Sequence, residues 1–302
     1  MSGPSVEEML EEFLKTKGVD ERLQGLTDRH DVYPAVDPQF AFDHKSFAGK
    51  VVLITGASKG IGSAIATFFA RAGAKLALIA RRDSGLEDVK EKLQDEFDVE
   101  VLAFAEDVRD TQTAAKIVED TVAHFGKIDV VIANAGVASK PALIGEADVT
   151  QWWSTLEVNL LGTVNYVAPA LKHLKKTNGY VIVISSWSAL LRSASTSDYA
   201  ISKQVLNRFV EFVALEYAGT VKSFAIHPGA VWTDLSRDAG SPEKLFIDKP
   251  ELAAATALAL ASGEYDWLSG RFIDATVDLG DVEKLKEQIL SKDALVSKLV
   301  VL

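Results

Sequence analysis

No cysteine occurs anywhere in the chain. Disulfides, thiolate metal sites and cysteine nucleophiles are thereby excluded, and the composition fits a reducing compartment. An excess of basic charge is missing as well: 32 Lys and Arg stand against 43 Asp and Glu, for a net charge of −11. Nucleic-acid surfaces cluster Lys and Arg, so no nucleic-acid partner is expected. Long apolar runs are also lacking. The longest, around residues 252–261, falls short of the ~20 residues a bilayer span needs, and no membrane span is expected. Residues 1–17 carry Glu7, Glu8, Glu11 and Glu12, the wrong sign for a transit peptide, and hold nothing resembling a signal peptide. A soluble, cytoplasmic protein is the expectation. What is present is ordinarily globular. At 302 residues, 48% of them hydrophobic, the chain can bury a substantial core as one large α/β domain or two small ones. It shows no internal repeat.

From position 50 onward, short β-branched runs alternate with helical spacing. The runs predict strands over 51–55, 75–80, 99–105, 128–133, 180–185, 221–226 and 271–274, and helical spacing is read at 61–72, 111–125, 150–175 and 198–218. The strands are continuously apolar, as expected of strands buried on both faces. Such alternation predicts a doubly wound α/β fold: a parallel sheet of about seven strands, helices on both faces, and ligands at the carboxyl ends of the strands. Residues 1–49 stand outside this rhythm. Ser5 with Glu8 resembles a capping box, and Val6, Met9, Leu10, Phe13 and Leu14 give an apolar face. A short helix is expected there, then an irregular arm through Pro34 and Pro38 that packs on the main domain or on a neighbouring subunit. The organisation read from sequence is therefore an extension over 1–49, a catalytic domain over 50–278 and a charged, helical tail over 279–302.

Directly after the first strand comes Thr55-Gly56-Ala57-Ser58-Lys59-Gly60-Ile61-Gly62, leading into helical spacing. Glycines at such a turn let backbone approach a pyrophosphate and open a helix N-terminus, whose free N–H groups attract anions. The second strand ends Ile79-Ala80-Arg81-Arg82, with no acid at its tip. An acid there would bond the ribose hydroxyls of NAD, whereas a base suits the 2′-phosphate of NADP. Arg81 and Lys59 together are expected to face that phosphate. NADP(H) is thus read as preferred over NAD(H), the alternative being two unrelated surface charges.

Tyr199-Ala200-Ile201-Ser202-Lys203 opens a helical stretch, and a spacing of four puts Tyr199 and Lys203 on one face. A phenol titrates near pH 10. A neighbouring ammonium would favour the phenolate and suit the pair to acid–base work. The bare pattern is common on solvated helix faces. Its position after a strand ending Ser185-Ser186 gives it weight.

These residues resemble the short-chain dehydrogenase/reductase family. The likeness covers Lys50 to about Asp278 and rests on Thr55-Gly-x-x-x-Gly-Ile-Gly62, Asn134-Ala135-Gly136, Asn159, Ser186, Tyr199-x-x-x-Lys203 and Pro228-Gly229-x-Val231-x-Thr233. The resemblance implies a Rossmann-like seven-stranded sheet binding a nicotinamide dinucleotide. It implies Tyr199 as acid–base, Lys203 on the nicotinamide ribose, Ser186 on the substrate oxygen and Asn159 holding a water in a relay to Lys203. Ser185 and Ser188 are alternates for the serine. It further implies Asp107 and Val108 at the adenine, the Asn134 turn supporting the sheet, and Val231 with Thr233 at the carboxamide. Gly56, Ser58, Lys59, Gly60 and Ile61 would hold the pyrophosphate end.

Two departures accompany the match. Ala133 stands where the family's turn often begins with a further asparagine, and both chain ends lie outside the shared pattern. A homodimer or homotetramer is expected, the tail leaving its geometry open. Trp187, Leu190, Leu191, Trp232, Leu235, Leu245 and Phe246 are read either as a pocket for a lipophilic substrate or as core packing. His227 is read as structural. The function expected is hydride transfer between NADP(H) and a ketone, an aldehyde or a secondary alcohol. A dehydratase or epimerase using the same site, and a non-catalytic NADP(H)-binding sensor, stay open.

Overall fold

The computed structural model describes residues 15–299, apart from 24 and 83, so the helix expected around Ser5 lies outside the described residues. Seven parallel strands form one sheet in the order β3-β2-β1-β4-β5-β6-β7. They are β1 (Val51–Thr55), β2 (Lys75–Ala80), β3 (Val101–Ala105), β4 (Val130–Ala133), β5 (Tyr180–Ile184), β6 (Lys222–His227) and β7 (Arg271–Asp274). Alternation within each strand divides the core. Val52 and Ile54 of β1 face one apolar layer, with Ile182 and Ile184 of β5. Val51 and Leu53 face the other, with Val181 and Val183. Burial on both faces is what removed any polar alternation from the sequence. Each such buried side chain stabilises the fold by roughly 1.5–3 kcal/mol.

The helices are α1 (Gln39–Asp43), α2 (Gly60–Arg71), α3 (Leu86–Phe97), α4 (Thr111–Phe125), α5 (Val149–Leu156), α6 (Gly162–Thr177), α7 (Ser197–Glu216), α8 (Asp234–Asp238), α9 (Pro250–Leu260), α10 (Leu279–Lys284) and α11 (Lys286–Ser291). α2 and α9 cover one face of the sheet; α4, α6 and α7 cover the other. The sequence shows α9 only as an apolar run, because nearly every side chain in it is buried. A helix apolar all round carries no amphipathic signature. The helix expected over 150–175 runs without a break through α5 and α6, with a π-helical turn between them at Glu157–Leu161 that contains Asn159. Such turns recur at functional sites because one inserted residue re-aims its neighbours.

Neither 49/50 nor 278/279 separates one core from another. Tyr33, Val36, Phe42 and Phe47 before the sheet, and Leu279, Val282 and Ile289 after it, are buried in the same layer as α2. The Tyr33 hydroxyl donates to Val277 O at 3.1 Å and accepts from Leu279 N at 3.1 Å, joining the two ends. No helix among the described residues is long and apolar enough to cross a membrane.

Candidate active site

The order 2-1-4-5 places a topological switch beside β1 and β4, where ligands bind in open α/β sheets. The segments following β1, β4, β5 and β6 enclose a cavity of about 940 Å³ there. At its β1 side, Gly56, Lys59, Gly60 and Ile61 line the wall, and Lys59 precedes α2 without capping it through its side chain. The turn closes tightly. A Cβ at Gly62 would stand 2.2 Å from Gly56 O and 2.5 Å from Asn134 Nδ2. Asn134 Nδ2 donates to Thr55 O at 3.0 Å and Gly56 O at 3.1 Å, and the backbone N–H groups of Asn134 and Ala135 reach Thr55 Oγ1 at 3.1 Å each. The β4 turn therefore braces the β1 turn. An uncapped helix start behind a glycine cradle fits the pyrophosphate of a dinucleotide.

Ser58, Arg81, Asp107 and Val108 do not line the cavity. Lys59 Nζ meets Asp234 Oδ2 at 3.3 Å across the cleft, while Arg81 is exposed and acts on Asp107. The Asp107 carboxylate is held below its usual range chiefly by its hydrogen bonds to Arg109, at 2.7 Å. Val108 is buried, and its carbonyl accepts from Asn165 Nδ2 at 2.9 Å, which fixes this turn to α6.

Tyr199 lies in the first turn of α7, which is pinned by its buried neighbour Asp198. That carboxylate accepts from Ser139 Oγ at 2.5 Å and Thr155 Oγ1 at 2.8 Å. One turn on, Lys203 Nζ stands 5.6 Å from the Tyr199 ring centroid and donates to Ile184 O at 2.8 Å. The side chain of Asn159, wholly buried, converges on the same place. Its Oδ1 and Lys203 Nζ lie 3.3 and 3.4 Å from where a Cβ on Gly136 would stand. Asn159 Nδ2 donates to Val137 O and to Ser202 Oγ, both at 2.9 Å, and Ser202 Oγ donates to Tyr199 O at 2.7 Å. Ser202 was missed from sequence, since nothing in its spacing marks it as the link between Asn159 and Tyr199.

Burial pushes the Tyr199 phenol up, and only the hydrogen bond to the Ser186 hydroxyl draws it down. Lys203, 3% exposed and turned to the Ile184 carbonyl, is itself pushed down to about 8 by burial. Of the three candidate serines, Ser186 is the one bonded to Tyr199. Ser185 Oγ is engaged by Asn207 Oδ1 at 2.6 Å. Ser188 contributes its backbone N–H to Ser186 Oγ at 3.1 Å.

On the outer side, Trp187, Leu191, Trp232, Leu235, Leu245 and Phe246 line the cavity, with Trp232 and Phe246 rings 5.4 Å apart. Pro228, Gly229, Val231 and Thr233 line it too. Leu190 is corrected: the short turn Trp187–Ala189 swings it to the far side, against Phe272 and Leu279. His227 is buried, and burial pushes its pKa down, which favours neutral imidazole. Arg22, Asp28 and His30 of the arm also line the cavity, unforeseen from sequence.

Residues 50–244 match the family model for short chain dehydrogenases. The chain belongs to the short-chain dehydrogenase family. It is therefore an oxidoreductase of a family that binds nicotinamide cofactors. It is 37% identical over 281 residues to the short chain dehydrogenase mpl6 of Monascus purpureus, covering 90% of this chain and 94% of that protein. An alcohol dehydrogenase from the archaeon Thermococcus sibiricus, solved with 5-hydroxy-NADP, is 32% identical with a TM-score of 0.65, over 71% of this chain and 92% of that one. A 7α-hydroxysteroid dehydrogenase, solved with NADH and 7-oxo glycochenodeoxycholic acid, shares the fold with a TM-score of 0.71 at 24% identity, over 78% and 95%. The short-chain dehydrogenase match begins at residue 50, so the arm bearing Arg22, Asp28 and His30 lies outside it.

Proposed function

We propose that this short-chain dehydrogenase reduces a lipophilic ketone or aldehyde with NADPH, or runs the reverse oxidation. The convergence of Tyr199, Ser186 and Lys203 on the wall of a largely apolar cavity, with Asn159 buried beside Lys203, carries the reading. The glycine cradle and the uncapped start of α2 would hold the pyrophosphate, Asn134 bracing them, with Val231 and Thr233 at the nicotinamide end. When bound, the dinucleotide supplies or accepts the hydride. Ser186 holds the substrate oxygen by donating its hydroxyl hydrogen to it. Tyr199 gives that oxygen a proton in reduction and withdraws one in oxidation. Its raised pKa keeps the phenol protonated at neutral pH, which suits the reductive direction. Lys203 would hold the ribose hydroxyls of that dinucleotide, and the Asn159–Ser202 link fixes the first turn of α7.

NADP preference rests on Arg81 and Lys59 together with the lack of an acid at the tip of β2. Arg81→Ala is expected to weaken NADPH binding about tenfold and NADH binding far less, since only the former carries a phosphate to pair with arginine. Titration of both cofactors by fluorescence checks this, and equal losses would refute the assignment.

Self-association is the second part of the proposal. Ile201, Val205, Phe212 and Leu215 form one exposed apolar row on α7, and Trp153 is exposed on α5, which packs beside it. Apolar groupings of this kind mark interaction surfaces. Light scattering is expected to give the mass of at least two chains, and Phe212→Glu with Leu215→Glu to reduce it to one. A wild-type mass of a single chain would contradict this.

A further inference from the structure

Residues 17–22 precede the family match, yet they are fastened to the segment that follows Ser186. Arg192 N donates to Lys17 O at 2.8 Å, and the Arg192 guanidinium meets Glu21 at 2.6 Å. Between these contacts Gly18 lies flat on the 190–191 backbone. Its φ is +97°, and a Cβ would stand 2.1 Å from Leu190 O, so only glycine fits. Arg22 then lies over the Trp187 indole, 5.2 Å from the ring centroid. It is held by Asp274 at 2.7 Å, Asp28 at 2.7 Å and Thr276 Oγ1 at 2.9 Å. Two carboxylates offset one guanidinium, so this arginine is engaged within the protein and is not an anion site. Trp187 follows Ser186 directly, and both Trp187 and Leu191 line the cavity.

We propose that residues 17–22 act as a strap that positions Trp187 and Leu191, and thereby sets the bulk of the carbonyl compound the cavity accepts. Fused-ring ketones depend on it more than small ones do. The inference rests on the carbonyl-reductase reading above. A ligand that ends at Ser186 and Tyr199 does not feel this wall. A ligand long enough to reach Trp187 loses its contacts when the indole is free to move. Arg22 is thus a positioning residue, acting through Trp187 and not on the reacting atoms.

Arg22→Ala and Gly18→Val would be compared with wild type, using NADPH with cyclohexanone and with α-tetralone as probes. In both variants kcat/KM for α-tetralone is expected to fall about tenfold further than for cyclohexanone, the difference appearing in KM. Adding Arg22→Ala to Trp187→Phe is expected to change the ratio between the ketones no further, because the effect runs through that ring. Amide hydrogen exchange at Leu190 and Arg192 is expected to quicken in both variants, with native near-UV circular dichroism retained. Equal losses for the two ketones, or exchange unchanged from wild type, would overturn the strap. Were wild type to reduce neither ketone, the carbonyl-reductase reading would fail for these probes, and the exchange measurement would still decide on the strap.

Discussion

Tyr199→Phe is expected to lower kcat for ketone reduction about a thousandfold while leaving NADPH affinity within a small factor. Positioned proton transfer contributes about 10²–10⁴ in rate, and the substitution removes the proton donor alone. The ring stays, half-buried at the start of α7, and Asp198, Ser139 and Thr155 continue to hold that turn. Loss of fold is therefore not the expected cause of lost turnover. Single-turnover absorbance at the reduced nicotinamide, with cofactor binding measured separately, divides the two effects. Full turnover by the variant would remove Tyr199 from the mechanism.

The pH dependence turns on Lys203. Burial lowers its pKa from 10.5 to about 8, so the ammonium is present below pH 8 and lost as pH rises through it. Reduction of a ketone, which uses the charged Lys203 and the protonated Tyr199, is expected to show kcat/KM level at neutral pH and falling above about pH 8. Lys203→Arg should move that limb beyond pH 10, since a guanidinium keeps its charge there. The same shift bears on stability with a definite sign. Between about pH 8 and 10.5 the unfolded chain binds the proton that the folded chain has released, so this residue's contribution to stability rises with pH across that window. Below it, the folded protein carries the cost of a buried charge. A displacement from 10.5 to about 8 corresponds to about 3 kcal/mol. Lys203→Met is accordingly expected to raise Tm at pH 7 even as activity is lost, though the freed Ile184 carbonyl returns about 1 kcal/mol of that gain. A lower Tm at pH 7 would show that burial of the charge is not the dominant effect.

Much of the fold was legible because strands buried on both faces write themselves as unbroken apolar runs, and β1, β2, β4 and β5 are such runs. The glycine turn and the Tyr199–Lys203 spacing were legible because each is local in the chain. What escaped depends on distance. Arg22 joins the cavity wall through Asp274 and Thr276, about 250 residues away, and nothing at position 22 announces that partner. The direction of Leu190 depends on a three-residue turn, and a shift of one residue there exchanges cavity for core. The π-helical turn at Asn159 leaves the helical spacing around it nearly intact, so the turn is invisible in the pattern. The direction of the Tyr199 pKa escaped because sequence places a charge beside the phenol but does not show how burial pushes it up.

The central claim, direct hydride transfer to a carbonyl carbon assisted by Tyr199, is tested most directly with NADPH deuterated at C4 of the nicotinamide and α-tetralone as acceptor. Mass spectrometry of the alcohol is expected to show one deuterium on the carbinol carbon, with one NADPH consumed per alcohol formed and the reaction nearly abolished in Tyr199→Phe. Product formed without net consumption of NADPH, or alcohol without deuterium at that carbon, would contradict the account.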